Sequence, residues 1–366
     1  MRKYSKTTIF NKVLKIMSGI TGGYFRKTNE INKFTKKYDF MDHFKSMIYL
    51  QISGADGLRD LVVKNQSHPK LKKDFKIPSY SQLSRLNKNK NIDVFKEIFL
   101  KVLELGQKEF KDMKISKELK DIKIIDSTMI TLGIKFAPDL AFSKTKSAIR
   151  VSTLISDITQ LPEKITIVPA KVGERNCIKD YLTDPNSIYL FDRGYCKYSW
   201  YDEMFLNKIR FVTRQTKNAI TEEYLSDWTG KENLYDSLIT LGANSSKNKT
   251  KFKYREILYF ENDEDKEYRL ITNIFDLPAQ DIISLYKVRW KIESFFKWTK
   301  QHLTIKHWIG YSINAITTQI YCALIVYILL LILKKRLNST LSLFDILRKI
   351  RVVLTETSAL KNILSG

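Results

Sequence analysis

The chain is predicted to be an α/β protein, a mixed sheet with helices on its faces, preceded by a helical region and interrupted by a β-rich insertion. Three observations predict this. From about residue 120, the runs "IKIID", "RVSTLIS", "KITIVPA", "SIYLFD" and "IRFVT" are rich in Ile, Val and Phe, are bounded by turn residues, and read as strands. The stretch "GYCKYSWYDEMFLNK" between the fourth and fifth fits a helix. Apolar residues at helical spacing dominate the chain before and after this region, the alternation expected of a sheet with packed helices.

Taken in order, residues 1–115 read as helical. Phe40, Phe44, Ile48 and Ile52 recur at steps of four, and Val94, Phe95, Ile98, Phe99, Val102 and Leu103 form a second apolar stripe. Between them "PSYSQLSRLNKNKNID" supplies a proline, capping serines and a break before Asp93, a pattern that permits a helix-turn-helix reading in a basic setting. Residues 116–213 hold the five strands. Residues 214–276 form a β-rich insertion, in which "KFKYREILYF" and "EYRLITN" flank the acidic turn "ENDEDK" as an antiparallel hairpin and "NSSKNKTK" is a polar connection. Residues 277–366 start with a helix signalled by Asp276 and Pro278, expected to run to about Ile305, and a last helical section follows from Asn314.

The 14-residue run "IYCALIVYILLLIL" at 320–333 is apolar throughout. It is shorter than the ~20 residues that span a bilayer and suits a buried core helix, so no membrane partner is expected.

The 366 residues include 63 Lys plus Arg against 39 Asp plus Glu, a formal net charge of +24. Such an excess suits a polyanion, because neutralising phosphates releases counterions. Nucleic acid leads, an anionic membrane surface is second, and a lysine-rich surface reflecting base composition is the bland alternative. Cys177, Cys196 and Cys322 are far apart, which argues for a reducing compartment and against a disulfide framework or cysteine zinc site. The basic N-terminus lacks the unbroken apolar core of a secretory signal.

Two strands are read as ending in an aspartate: "IKIID" at Asp126 and "SIYLFD" at Asp192. Reactive groups collect at the carboxyl ends of strands in such sheets, although a lone aspartate there also serves as a turn or helix cap. The stretch "YKVRWKIESFFKWTK" adds a third acid. On one continuous helix, Tyr286, Arg289, Glu293 and Lys300 sit at roughly 0°, 300°, 340° and 320°, an arc of about 60°. That stripe reads either as a solvated face with ion pairs or as a surface that holds phosphates and a metal. Clustered carboxylates repel unless a cation lies among them, and three can hold two Mg²⁺ ions for in-line phosphoryl transfer.

The spacing Y-x2-R-x3-E-x6-K at Tyr286, Arg289, Glu293 and Lys300 resembles the signature of the insertion-sequence-four family of bacterial DDE transposases. The resemblance extends through "RWKIESFFKWTKQHLTIKHWIGYSINAITTQIY" and back to "IIDSTMI" and "LFDRGY". It implies a ribonuclease-H-like catalytic core with a β-rich insertion domain and a helical N-terminal DNA-binding domain. Asp126, Asp192 and Glu293 would be the catalytic acids and ligands of two Mg²⁺ ions, with Mn²⁺ as a substitute. Tyr286, Arg289 and Lys300 would contact phosphates of the transposon end, residue types suited to that work. Trp290 would assist with a flipped base in relatives that cut through a hairpin, with Trp228 a weaker candidate for the stacking platform. Phe295, Phe296 and Trp298 read as core.

The resemblance further implies double-stranded DNA partners (terminal inverted repeats and target), a homodimer in a synaptic complex, and a cytoplasmic, nucleoid-associated protein. Where relatives carry a His-Asp pair after "KITIVPA", "VGERN" puts Arg175 and Asn176. Arg210, Arg214 and Lys217 around "FVTRQTKN" read as a DNA-facing strand end or a solvated basic turn. The alternatives are a ribonuclease-H-like nuclease without joining activity and a non-catalytic DNA-binding repressor.

Overall fold

The structure is a computed structural model that describes residues 7–20, 38–89, 92–113, 121–135, 137–178, 180–195, 197–228, 234–243, 248–261, 266–303, 305 and 308–364. In chain order, six helices come first: α1 (Ile9–Leu14), α2 (Phe40–Ser53), α3 (Leu58–Ser67), α4 (Pro69–Asp74), α5 (Tyr80–Asn89) and α6 (Ile92–Glu109). Strands β1 (Asp121–Gly133), β2 (Lys146–Ser156) and β3 (Pro162–Pro169) follow, then α7 (Glu174–Cys177), β4 (Ser187–Phe191), α8 (Tyr198–Leu206) and β5 (Arg210–Arg214). Next are β6 (Thr221–Trp228), β7 (Leu234–Leu241), β8 (Tyr254–Glu261) and β9 (Lys266–Thr272). The chain closes with α9 (Ala279–Lys287), α10 (Trp290–His302), α11 (Ile313–Arg336), α12 (Leu343–Val352) and α13 (Leu360–Leu364). It divides into two compact units, one of residues 113–295 and one of residues 1–112 with 296–366.

In the unit of residues 113–295, the described strands form one sheet in the order β3-β2-β1-β4-β5-β9-β8-β7-β6. β1, β2 and β3 are an antiparallel meander, and β4 and β5 run parallel to β1. An antiparallel triple extended by two parallel strands in the order 3-2-1-4-5 is the ribonuclease-H-like arrangement. The parallel strands are buried on both faces, as "SIYLF" at β4 shows with all five residues buried, and such strands favour β-branched and aromatic side chains. On one face, Trp200, Tyr201 and Met204 of α8 pack in a cluster with Phe191, Phe211 and Tyr254.

The insertion is β-rich as expected, and β8 and β9 pair antiparallel; the turn between them, 262–265, lies outside the described residues. Part of "NSSKNKTK", 244–247, does too. Antiparallel pairing of β9 with β5 makes the insertion continue the core sheet. Asp202 of α8 fastens it further, accepting from the Tyr254 hydroxyl at 3.0 Å and the Lys251 amide at 2.9 Å. Gly242, at φ +98°, turns the chain after β7 where a side-chain carbon would fall 2.4 Å from the Asn248 carbonyl oxygen.

Two expectations about local structure change. "IKIID" does not end at Asp126: β1 runs on to Gly133 because its outer half pairs with β2, Asp126 opposite Thr153 and Gly133 opposite Lys146. What ends at Asp126 is the parallel pairing with β4, whose last partners are Ile125 and Phe191. The helix expected from Pro278 to about Ile305 is two helices. At the break, the amides of Val288, Arg289, Lys291 and Ile292 bond carbonyls three residues back, at 3.0–3.2 Å. That tight three-residue turn needs no Pro or Gly and leaves no composition signal.

In the other unit, α11 is the central element. Residues 315–333 are all buried, and the helix packs on α6 and α2. It is 24 residues long, since the polar lead "INAITTQ" is helical as well, and by length and hydropathy it would suffice to cross a membrane; its apolar window is entirely buried. Ser312 caps it by accepting from the Ala315 amide, and Lys334, Lys335 and Arg336 lie at its C-terminal end, where cations are favoured.

Candidate active site

The register of the parallel strands builds the site. Ile125 of β1 stands opposite Phe191 of β4, so the next residues in register are Asp126 and Asp192. Each carboxylate is anchored by the amide that follows it: Ser127 donates to Asp126 Oδ1 and Arg193 to Asp192 Oδ1, both at 2.7 Å. Burial raises the Asp126 pKa from 3.8 to about 6; the Ser127 amide and the Arg289 charge act against burial, and Asp192 and Glu174 push the same way as burial.

The break between α9 and α10 supplies the counter-charge. In a three-residue turn, positions i and i+3 lie one above the other, and the Arg289 guanidinium sits 5.8 Å from the Tyr286 ring centroid. From there it donates to Glu293 Oε1 at 2.6 Å and comes within 3.6 Å of Asp126 Oδ2. Burial disfavours the Arg289 charge, yet Tyr286, Glu293 and Asp126 outweigh it and hold its pKa above the ordinary value. Tyr286 is buried, its hydroxyl lacks a well-formed hydrogen bond, and burial pushes its pKa up, with Arg289, Asp192 and Arg214 as its charged neighbours. Thus Asp126, Glu293, Arg289 and Tyr286 are brought together, with Asp192 beside Asp126.

Trp290 opens α10 with 64% of its surface exposed. Lys300 lies on the same helix, seven residues beyond Glu293, in the stretch that belongs to the other compact unit; it is half-buried, and burial lowers its pKa. Phe295 and Phe296 are buried, as expected of core residues. Trp228 ends β6, and its side chain is not among those described. Of the basic residues near β5, Arg210 pairs with Asp276 at 2.5 Å, Arg214 stacks over Tyr268 at 4.5 Å, and Lys217 lies 4.0 Å from Glu267.

One acid was not anticipated. In "VGERN" the residue that reaches the site is Glu174, which accepts from the Ser127 hydroxyl and from Arg150 Nη1 at 2.5 Å. An acid directly after Gly173, in the loop that follows β3, was the available signal.

The donor chemistry fits a hard divalent cation: Asp126, Asp192 and Glu293 offer carboxylate oxygens, and the first is held partly buried beside another negative charge. Among the described residues, no three acidic, histidine or cysteine side chains stand close enough together to hold an ion as placed, and Glu293 is turned onto Arg289.

Comparison with known families decides the identity. Residues 117–329 match the family described as the transposase DDE domain, and residues 5–73 match a domain of unknown function. The chain belongs to the DDE transposase family. A relative described as a transposase in Sinorhizobium fredii is 30% identical over 270 residues, 71% of this chain and 73% of that one. An insertion-sequence transposase of Geobacillus stearothermophilus is 24% identical over 278 residues, 74% of this chain and 72% of its own. One from Synechocystis is 26% identical over 285 residues, 75% and 78% of the two chains. The piggyBac transposase in a synaptic complex with hairpin DNA aligns with a TM-score of 0.43 at 9% identity, covering 90% of this chain and 75% of that one. This transposase is therefore an enzyme of DNA transposition, acting on DNA by metal-dependent strand cleavage and strand transfer.

Proposed function

We propose that Asp126, Asp192 and Glu293 are the catalytic acids of this transposase, and that it is a cut-and-paste enzyme of the insertion-sequence-four type acting at terminal inverted repeats. The observation that carries the reading is that one arginine joins two acids from distant parts of the chain while a third acid stands beside the first. Asp126 and Asp192 follow the same parallel register, and Arg289 bridges Asp126 and Glu293.

The acids would hold two divalent ions, Mg²⁺ with Mn²⁺ as a substitute, which supply an activated water or 3′-hydroxyl and stabilise the leaving oxygen of the cut phosphodiester. The chain's own residues bind and orient. Arg289 forks onto phosphate oxygens once released from Glu293, the Tyr286 hydroxyl donates one hydrogen bond to phosphate, and Lys300 adds a point charge toward the phosphates of the transposon end. Tyr286 suits this role because its buried hydroxyl has no well-formed protein partner to give up. Trp290, exposed beside Arg289, is free to stack on an extruded base.

Residues 1–115 serve as the DNA-binding domain and 214–276 as the insertion domain, dividing the catalytic core into 116–213 and a second part within 277–366. A homodimer holding two transposon ends and a cytoplasmic, nucleoid-associated location complete the reading. The test is incubation of the full chain with Mg²⁺ and the DNA flanking its own gene, mapping which phosphodiesters break and whether ends join. Cleavage at the repeat ends followed by joining is expected. Cutting without joining would favour a nuclease, and retained excision in Asp192→Asn and Glu293→Gln would remove the acid assignment.

A further inference from the structure

We infer that Glu174 is a positioning residue that ties the Asp126 and Asp192 turns together and thereby sets the spacing of the two acids for metal. The inference rests on the acid assignment proposed above.

The geometry runs through both turns. After Asp126, the Ser127 amide donates to Asp126 Oδ1 at 2.7 Å while its hydroxyl donates to Glu174. Arg150 of β2 closes the triangle, its Nη1 donating to Glu174 Oε1 at 2.5 Å and to the Ser127 hydroxyl at 3.2 Å. After Asp192, the turn folds over the other oxygen of the same carboxylate: a side-chain carbon on Gly194 would lie 3.1 Å from Glu174 Oε2. That turn is itself closed by the Tyr195 amide donating to the Asp192 carbonyl at 3.1 Å. One carboxylate thus meets the residue after the first acid and the second residue after the second acid.

Glu174 has the means to hold still. Its side chain is 31% exposed, Arg150 is 13% exposed, and α7, which carries it, packs against the turn that holds Gly194. A carboxylate fixed by a buried guanidinium and a hydroxyl is a rigid strut, and two like charges on adjacent strands need one if they are to stay at ion-binding distance without drifting apart. Partners that orient metal ligands in this way typically contribute about 10- to 100-fold in metal affinity. Gly194 fits the same account, because any side chain there would push on Glu174.

The test measures Mn²⁺ binding by the electron paramagnetic resonance of free Mn²⁺, with the full chain and its terminal-repeat DNA, alongside end cleavage. Glu174→Ala should weaken Mn²⁺ binding about tenfold or more. Glu174→Gln, which keeps an oxygen to accept from Ser127 and Arg150, should recover most of that loss. If Glu174→Gln is as impaired as Glu174→Ala, the carboxylate charge itself is needed at the ion and the positioning role is overturned. Should Glu174→Ala fail to fold, Ser127→Ala cuts the same link without baring a charge; a loss of Mn²⁺ affinity there supports the brace, and parental affinity overturns it. Asp192→Asn separates the two readings. Parental Mn²⁺ binding in that variant sinks the acid assignment, whereas lost binding there with unaltered Glu174→Ala and Ser127→Ala sinks the brace alone.

Discussion

The insertion strands and the end of the parallel strands both bury carboxylates against arginines, and they do it in opposite ways. On β8, Arg255 meets Asp236 of β7 through Nε at 2.8 Å and Nη2 at 2.5 Å, and gives Nη1 to the Leu277 carbonyl at 2.5 Å. On β9, Arg269 pairs with Glu256 and spends its remaining donors on the Ala219 carbonyl at 3.0 Å and the Thr221 hydroxyl at 2.9 Å. Each acid has its own guanidinium. At the candidate active site the ratio is reversed, with Arg289 shared by Asp126 and Glu293 while Asp192 adds further negative charge. Matched pairs leave no net charge to offset; a surplus of acid over base is charge that a divalent cation would offset.

The largest effect expected from this contrast is on chemistry. Asp192→Asn or Glu293→Gln should lower end cleavage about a thousandfold or more, since metal stabilisation is worth several kcal/mol and each ~1.4 kcal/mol is tenfold in rate. Melting should stay within a few degrees of the parent; comparable loss of fold and activity would mean that these acids are structural pairs like those of the insertion.

Arg255→Ala should do the reverse. It leaves Asp236, whose side chain is 15% exposed, without its partner, at a cost of about 3–5 kcal/mol. Calorimetry should show the transition falling by roughly 10 °C. A shift of a degree or less would mean that the pair is no stronger than a surface ion pair.

The third effect has a pH signature. Burial raises the Asp126 pKa from 3.8 to about 6, so the folded state holds that proton more tightly than the unfolded chain. Stability without metal therefore falls as pH rises from about 4 to about 6, and the full penalty, roughly 2–3 kcal/mol, persists above that window. Asp126→Asn should consequently stabilise the metal-free chain at pH 7.5 and leave it unchanged at pH 3.5, as read by urea unfolding. An equal effect at both values would show that the carboxylate carries no burial penalty.

The smallest effect concerns Tyr286. Tyr286→Phe removes a buried hydroxyl that lacks a well-formed partner, so stability should change by no more than about 0.5 kcal/mol. Affinity for a terminal-repeat duplex, followed by fluorescence anisotropy, should fall about tenfold if the hydroxyl donates to a phosphate. Unchanged affinity would confine Tyr286 to packing beneath Arg289.

Much of the fold was legible because the signals are local. Short runs rich in Ile, Val and Phe between turn residues marked all five core strands, and the hairpin of β8 and β9 followed from two such runs around an acidic turn. Asp126 and Asp192 stood out for the same reason, as carboxylates placed directly after apolar runs, and Glu293 through its spacing from Tyr286, Arg289 and Lys300. Three features were not legible. The outer half of β1 is a strand because β2 lies beside it, a partner distant in sequence. The turn between α9 and α10 contains neither Pro nor Gly, so the angular argument for one continuous stripe did not survive it. Glu174 looked like any loop acid until Ser127, Arg150 and Gly194 came to surround it.

By itself the sequence determined the class of the protein, its basic charge, the core strands of its sheet and the residue types of its candidate site, since composition, periodicity and spacing are properties of neighbours along the chain. The tertiary structure alone decided which acids share a register, that Arg289 bridges two of them, and that the insertion continues the sheet at β5 and β9. Charge balance at a site depends on which groups end within a few ångströms of one another after the chain has closed, and a linear pattern carries no such distance.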